Sequence, residues 1–133
     1  MKHLKHTTFL GLGFALVVMT GVASAQTQTD QLALLYPAQV GAIPCDGSVV
    51  VTIAEEPKNP NHYDIAIGKM HYEAERVATK SGAIKLEDQK DGIIWLQMSN
   101  KSMLIDEKHH KRLAVDCQDA NQKAVQKELD AVH

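Results

Sequence analysis

The sequence predicts an all-β domain: a small antiparallel β-barrel of about eight strands, closed by one disulfide, with a short C-terminal helix. Three observations predict it. Two cysteines, Cys45 and Cys117, bracket the middle of the chain. Between them run short apolar-alternating stretches separated by Gly, Asn and Asp. No segment in the bracket has helix-length apolar periodicity. Closure into a barrel suits such a chain because it removes exposed strand edges.

The chain has 133 residues. Residues 1–25 read as a secretory signal peptide. Lys2 and Lys5 supply the positive start, an apolar run spans residues 9–18, and Ala23-Ser24-Ala25 is a small-residue cleavage site before Gln26. The apolar run falls short of the about 20 residues needed to cross a bilayer. No cysteine stands at the cleavage point, so no lipid anchor and no stable membrane anchor are expected. Cleavage after Ala25 leaves 108 of the 133 residues, enough for one domain. Residues 26–42 read as a leader arm, 43–118 as the barrel domain and 119–133 as a tail with helical character. In an oxidising compartment the default for two cysteines in a small domain is an intramolecular bond. They lack the close spacing of a zinc signature. The signal carries two of the fourteen basic residues and none of the sixteen acidic ones, so the mature charge is −4 with histidine neutral. No basic cluster marks a nucleic-acid partner. A mildly acidic domain is instead suited to a basic one.

After the polar residues 26–30, Leu32-Ala-Leu-Leu-Tyr36 is apolar and is then broken by Pro37 and Gly41. Asp46-Gly47 is a turn dipeptide. Ser48-Val-Val-Val-Thr-Ile53 is β-branched, with Val49, Val51 and Ile53 on one face. Residues 55–61 hold two prolines and read as a loop. Tyr63-Asp-Ile-Ala-Ile67 and Met70-His-Tyr-Glu-Ala-Glu-Arg76 alternate on either side of Gly68-Lys69, forming a hairpin. Ala83-Ile-Lys-Leu-Glu87 alternates again, and residues 88–92 make a polar turn. Ile93-Ile-Trp-Leu-Gln-Met98 is the most continuous apolar run and is expected to be the most buried strand. Met103-Leu-Ile105 and Leu113-Ala-Val115 complete the set. Asp119 is placed to cap a helix with Val125, Leu129 and Val132 on one face.

Candidate chemistry is sparse. His109-His110 lies in a charged turn, and a solvated hairpin tip is the simpler reading than a metal site. Glu55-Glu56 and Glu87-Asp88 read as solvated turn charges. No G-x-S-x-G, H-E-x-x-H or phosphate-loop pattern occurs, and both cysteines are committed, so no catalytic residue, metal or cofactor is expected. Trp95, the sole tryptophan, reads as core. Asn100-Lys-Ser102 matches a glycosylation acceptor, discounted because the leader has a bacterial character. Ser81-Gly82 reads as a turn before a strand.

Taken as a set, four features resemble the c-type lysozyme inhibitor family of bacterial envelopes. They are Cys45-Asp-Gly47 at the start, Ser81-Gly82-Ala83 in the middle, the Trp95 strand, and the closing strand ending Cys117-Gln118. The resemblance implies a small exported barrel and a soluble periplasmic inhibitor of a host c-type lysozyme, with no enzymatic activity. It also implies that the serine of an S-G-x-x-Y motif, here Ser81 beside Gly82, enters the enzyme's cleft together with a lysine of a nearby turn. Lys101 is the only lysine on the corresponding turn, Met98-Ser-Asn-Lys-Ser102, a few positions out of register. Lys85 stands where the motif has tyrosine. These two departures favour a second reading, an envelope binding module on the same barrel that recognises a glycan, a peptide or a metal ion.

Overall fold

In a computed structural model, the described residues are Gly11, Gly13 and 37–133. The expected signal peptide and the Leu32-to-Tyr36 stretch lie outside the described residues, those two glycines apart. Eight strands follow in order: β1 Gly41–Pro44, β2 Val50–Glu55, β3 His62–Ile67, β4 Met70–Val77, β5 Ile84–Asp88, β6 Ile93–Gln97, β7 Ser102–Asp106 and β8 Lys111–Cys117. Among the described residues, the one α-helix, α1, spans Ala120–Val132, and a single 3-10 turn spans Asp46–Ser48. The strands form a single antiparallel sheet in chain order, each paired with its sequence neighbour. The sheet curls into a nearly closed barrel.

Alternation decides which side chains turn inward. Val51 and Ile53 of β2, Tyr63 and Ile65 of β3, Ala74 of β4, and Ile84 and Leu86 of β5 are buried. Ile93 and Trp95 of β6, Leu104 of β7 and Ala114 of β8 complete the core with Ile43. Register keeps the large residues abreast: Leu86 lies opposite Trp95, and Trp95 opposite Leu104. The β3–β4 hairpin forms as expected, with Ile67 opposite Met70 across Gly68-Lys69.

Two departures from the expected pattern have simple causes. β1 takes in Gly41 and Ala42, which the sequence assigns to the leader arm. Four residues opened by glycine and ended by proline carry no alternation to read. Asp88 is buried rather than a solvated turn charge, because it continues the inward phase of Ile84 and Leu86. Its carboxylate accepts from the Asp91 amide at 3.1 Å.

The seam lies between β1 and β8, which share no ladder. The Cys45–Cys117 disulfide crosses it. The Gln118 amide also donates to the Pro44 carbonyl at 3.0 Å. β8 reaches this position through two register shifts against β7. The second leaves Asp116 at φ +50°, a left-handed conformation that aspartate tolerates better than most residues.

At the far end of the barrel the β5–β6 and β7–β8 turns are tied together. The Glu107 amide donates to Gly92 O at 2.9 Å, and Lys108 Nζ donates to Lys90 O. Gly92 is required here: at φ +71°, a Cβ would come within 2.7 Å of the Lys108 side chain. His109 Nδ1 meets Asp106 Oδ2 at 2.7 Å in the same turn. Burial pushes the Asp106 carboxyl up, but hydrogen bonds from His109 and the Lys108 backbone outweigh it and hold it below its ordinary value. Burial, together with Asp106, Asp91 and Asp88, pushes the Tyr72 phenol up.

Candidate functional site

The opposite end carries the Ser81 loop. Ile84 at the start of β5 pairs with Gln97 at the end of β6, and Gln97 pairs with Ser102 at the start of β7. The Ser81 loop and the turn at 98–101 therefore leave the barrel side by side. α1 begins at this end too, because β8 ends opposite Ser102.

Ser81 and Gly82 are exposed. The loop is shaped by short local bonds: Thr79 Oγ1 donates to Ala83 O at 2.6 Å, and the Ala83 amide donates to Ser81 Oγ at 3.4 Å. Gly82 sits at φ +80°, so the bend after Ser81 depends on a residue without Cβ strain. The Ser81 hydroxyl proton remains available to an incoming acceptor. Lys101 is placed differently. Its backbone closes the turn through Met98 N to Lys101 O at 2.9 Å, while its ammonium lies 3.4 Å from Asp116 Oδ1 on β8. Ser81 and Lys101 thus share one end of the barrel, with the lysine head turned toward β8.

Beside Ser81 lies a groove of about 770 Å³. Its walls are residues 37–39, 81–84 and 96–99, and Asp119, Asn121 and Gln122 at the start of α1. One wall is fixed by a buried amide network. Gln39, Ser102 and Gln122 are all buried. Ser102 Oγ donates to Gln39 Oε1 at 2.6 Å, and Gln39 Nε2 donates to Gln122 Oε1 at 2.6 Å and to Asp119 Oδ2 at 2.7 Å. Gln122 Nε2 donates to Met98 O at 2.9 Å and to Ser102 Oγ at 2.8 Å. The Gln39 backbone N–H donates to Gln97 Oε1 at 2.8 Å. The arm, the β6–β7 turn and the helix are thereby locked to one another with their polar groups satisfied.

Reading the sequence missed this network. Gln39 falls in the stretch read as a loose arm, and a buried glutamine leaves no periodic trace. One signal was available: Asp119-Ala-Asn-Gln122 is a capping box. Gln122 N donates to Asp119 Oδ1 at 2.8 Å and Asp119 N to Gln122 Oε1 at 3.1 Å. The expected apolar face of α1 does not dock as such, since Leu129 and Val132 are exposed. Gln122 anchors the helix instead, helped by Asn100 Nδ2 donating to Gln126 Oε1 at 2.8 Å. Removing the Gln122 side chain strands several buried partners, so Gln122→Ala is expected to cost about 2–3 kcal/mol. Urea unfolding, with amide exchange across 120–132, checks this. Gln126→Ala, at the rim, should change stability far less.

Ser102 is fully buried within the network and Asn100 is bonded to the helix, so the Asn100-Lys-Ser102 acceptor is not presented by the folded chain. His109 and His110 lie in the exposed turn at the other end. Among the described residues, no three His, Cys, Asp or Glu side chains converge in a way that would hold a metal ion. Among them, too, no helix is long and apolar enough to cross a membrane. The chain matches no family model, no curated protein and no solved structure.

Proposed function

We propose that this chain is an exported, periplasmic inhibitor of a c-type lysozyme, acting by placing the Ser81–Gly82 loop in the enzyme's cleft. The observation that carries the reading is the exposed Ser81–Gly82 loop beside the Lys101 turn, both leaving one end of a disulfide-closed barrel. A c-type lysozyme works with a carboxylic acid of raised pKa and an ionised carboxylate. A hydroxyl can both donate and accept between two such groups. A lysine ammonium adds charge-assisted bonds, which are the stronger kind. The Thr79–Ala83 and Ala83–Ser81 bonds already restrain the loop, which limits the ordering cost of association. The mature charge of −4 favours encounter with a basic enzyme. To reach those carboxylates, Lys101 has to exchange Asp116 for them. Both members of that pair are substantially exposed, so the exchange costs little.

The first test is lysis of a peptidoglycan suspension by a c-type lysozyme, with and without the oxidised protein. Dose-dependent inhibition near one-to-one stoichiometry is expected. Ser81→Ala should then weaken binding by about 2 kcal/mol, roughly thirtyfold in Kd. An unchanged Kd would remove Ser81 from the contact.

The groove favours a second reading, an envelope binding module that takes a peptide there. Its volume lies within the usual range for ligand sites. If the oxidised protein leaves lysozymes of every class fully active, this becomes the better account.

A further inference from the structure

We propose that the groove beside Ser81 seats a basic side chain, an arginine above all, presented by the protein that the barrel binds. This rests on the inhibitor reading for the identity of the partner, but not for the chemistry of the groove.

The lining has a one-sided charge. Of the fourteen residues that form the groove, none is lysine or arginine, and Asp119 is the only one that carries a charge. The lining includes the apolar side chains of Ala38, Ile84, Leu96 and Met98, a surface along which a long basic side chain can lay its stem. The same lining includes Asp119, the one carboxylate of the groove. Each of its oxygens accepts one bond, from Gln122 N and Gln39 Nε2. A carboxylate has about four acceptor sites, so about two remain for a guanidinium fork. Asp119 also caps α1, whose N-terminus carries about +0.5 of an elementary charge against the full −1 of the carboxylate, so the local balance stays negative. Because Gln39 and Gln122 hold Asp119 in place, its geometry does not have to be organised when the ligand arrives.

The same lining argues against other ligands. An acidic group would meet Asp119 with no cation to offset it. A stacked sugar would find no ring, since no aromatic residue lines the groove. Ser99 and Asn121 are exposed on the walls, positioned to bond the partner's backbone on either side of the inserted side chain.

The test needs no lysozyme. The oxidised protein, labelled with nitrogen-15, is titrated with N-acetyl-arginine methylamide and separately with N-acetyl-glutamate methylamide. Saturable amide shifts at Ser81, Gly82, Ser99 and Asn121 are expected with the arginine compound alone. Asn121→Arg, which places a cation in the groove on an exposed helix position, should weaken that binding at least tenfold. Far-UV circular dichroism confirms that the variant is folded. No saturable shift in the native protein, equal shifts with both compounds, or undiminished binding by the variant would each overturn the proposal. The two readings fail separately. A protein that takes the arginine compound but does not inhibit lysozyme sinks the inhibitor reading. One that inhibits lysozyme but shows no arginine response sinks the groove.

Discussion

Replacing Cys45 and Cys117 together by alanine is expected to lower the unfolding free energy by about 4 kcal/mol in the chain-entropy account of a loop this long. The cysteines are 72 positions apart, so the bond constrains most of the folded domain in its unfolded state. The native state loses as well. Between β1 and β8 there is no ladder, and without the disulfide the seam keeps the Gln118–Pro44 bond and the packing of β8 against its surroundings. Alanine suits both positions because Cys117 is fully buried and a hydroxyl there would need a partner. For a domain of about 100 residues, such a loss corresponds to a fall of roughly 15–30 °C in Tm. Calorimetry on the double variant and on the reduced native protein checks this. A fall below about 5 °C in both would show that β8 holds its place without the covalent bond.

Trp95→Ala is expected to cost about 3–5 kcal/mol, the usual range for emptying a large aromatic site in a core. Trp95 is wholly buried at the centre of the register, with Leu86 on one neighbouring strand and Leu104 on the other. A void between strands already paired on both sides cannot close without breaking a ladder. Trp95→Phe separates packing from polarity. The indole Nε1 is buried and has no hydrogen-bond partner among the described residues. Phenylalanine removes that desolvated donor while keeping a ring, so its cost should be only about 1–2 kcal/mol. Urea unfolding followed by circular dichroism reads both, since the sole tryptophan fluorophore is gone. Equal costs for the two variants would mean that Nε1 contributes a bond after all.

Most of the barrel could be read from the chain because its strands alternate. Tyr63, Ile65 and Leu86 fall on the inward phase that period-two reading assigns them, Trp95 is core as a large aromatic in the most continuous apolar run should be, and Gly68-Lys69 turns the hairpin where a turn pair stands. The disulfide was legible from two cysteines in a small domain behind a leader that reads as an export signal, and Asp119 caps the helix as its side chain suggests. What escaped was the burial of Asp88, inward because of strand phase although its charge argues for solvent, and everything held by polar contacts at long range. Gln39 and Gln122 are 83 positions apart and meet only once the barrel exists. The groove is bounded by four separate segments, so no local pattern announces it. Ser81 and Lys101 were named by resemblance, and their placement at one end of the barrel depends on the pairing of Ile84 with Gln97 and of Gln97 with Ser102.

The strand order has a consequence for how the molecule assembles. Every ladder joins strands adjacent in the chain, so each pairing step closes only a short loop. Contacts of this kind let a β-protein form its hairpins faster than a Greek-key topology of equal size, because little chain entropy has to be surrendered before pairing is rewarded. The long-range ties behave otherwise: the disulfide, the Gln118–Pro44 bond and the Gln39–Asp119 bond all join the two ends of the sheet. They can form only after the intervening hairpins have brought those ends together. The sheet is therefore built by zipping and locked by its termini, and the groove beside Ser81, which needs the arm and the helix in place, is the last surface to appear.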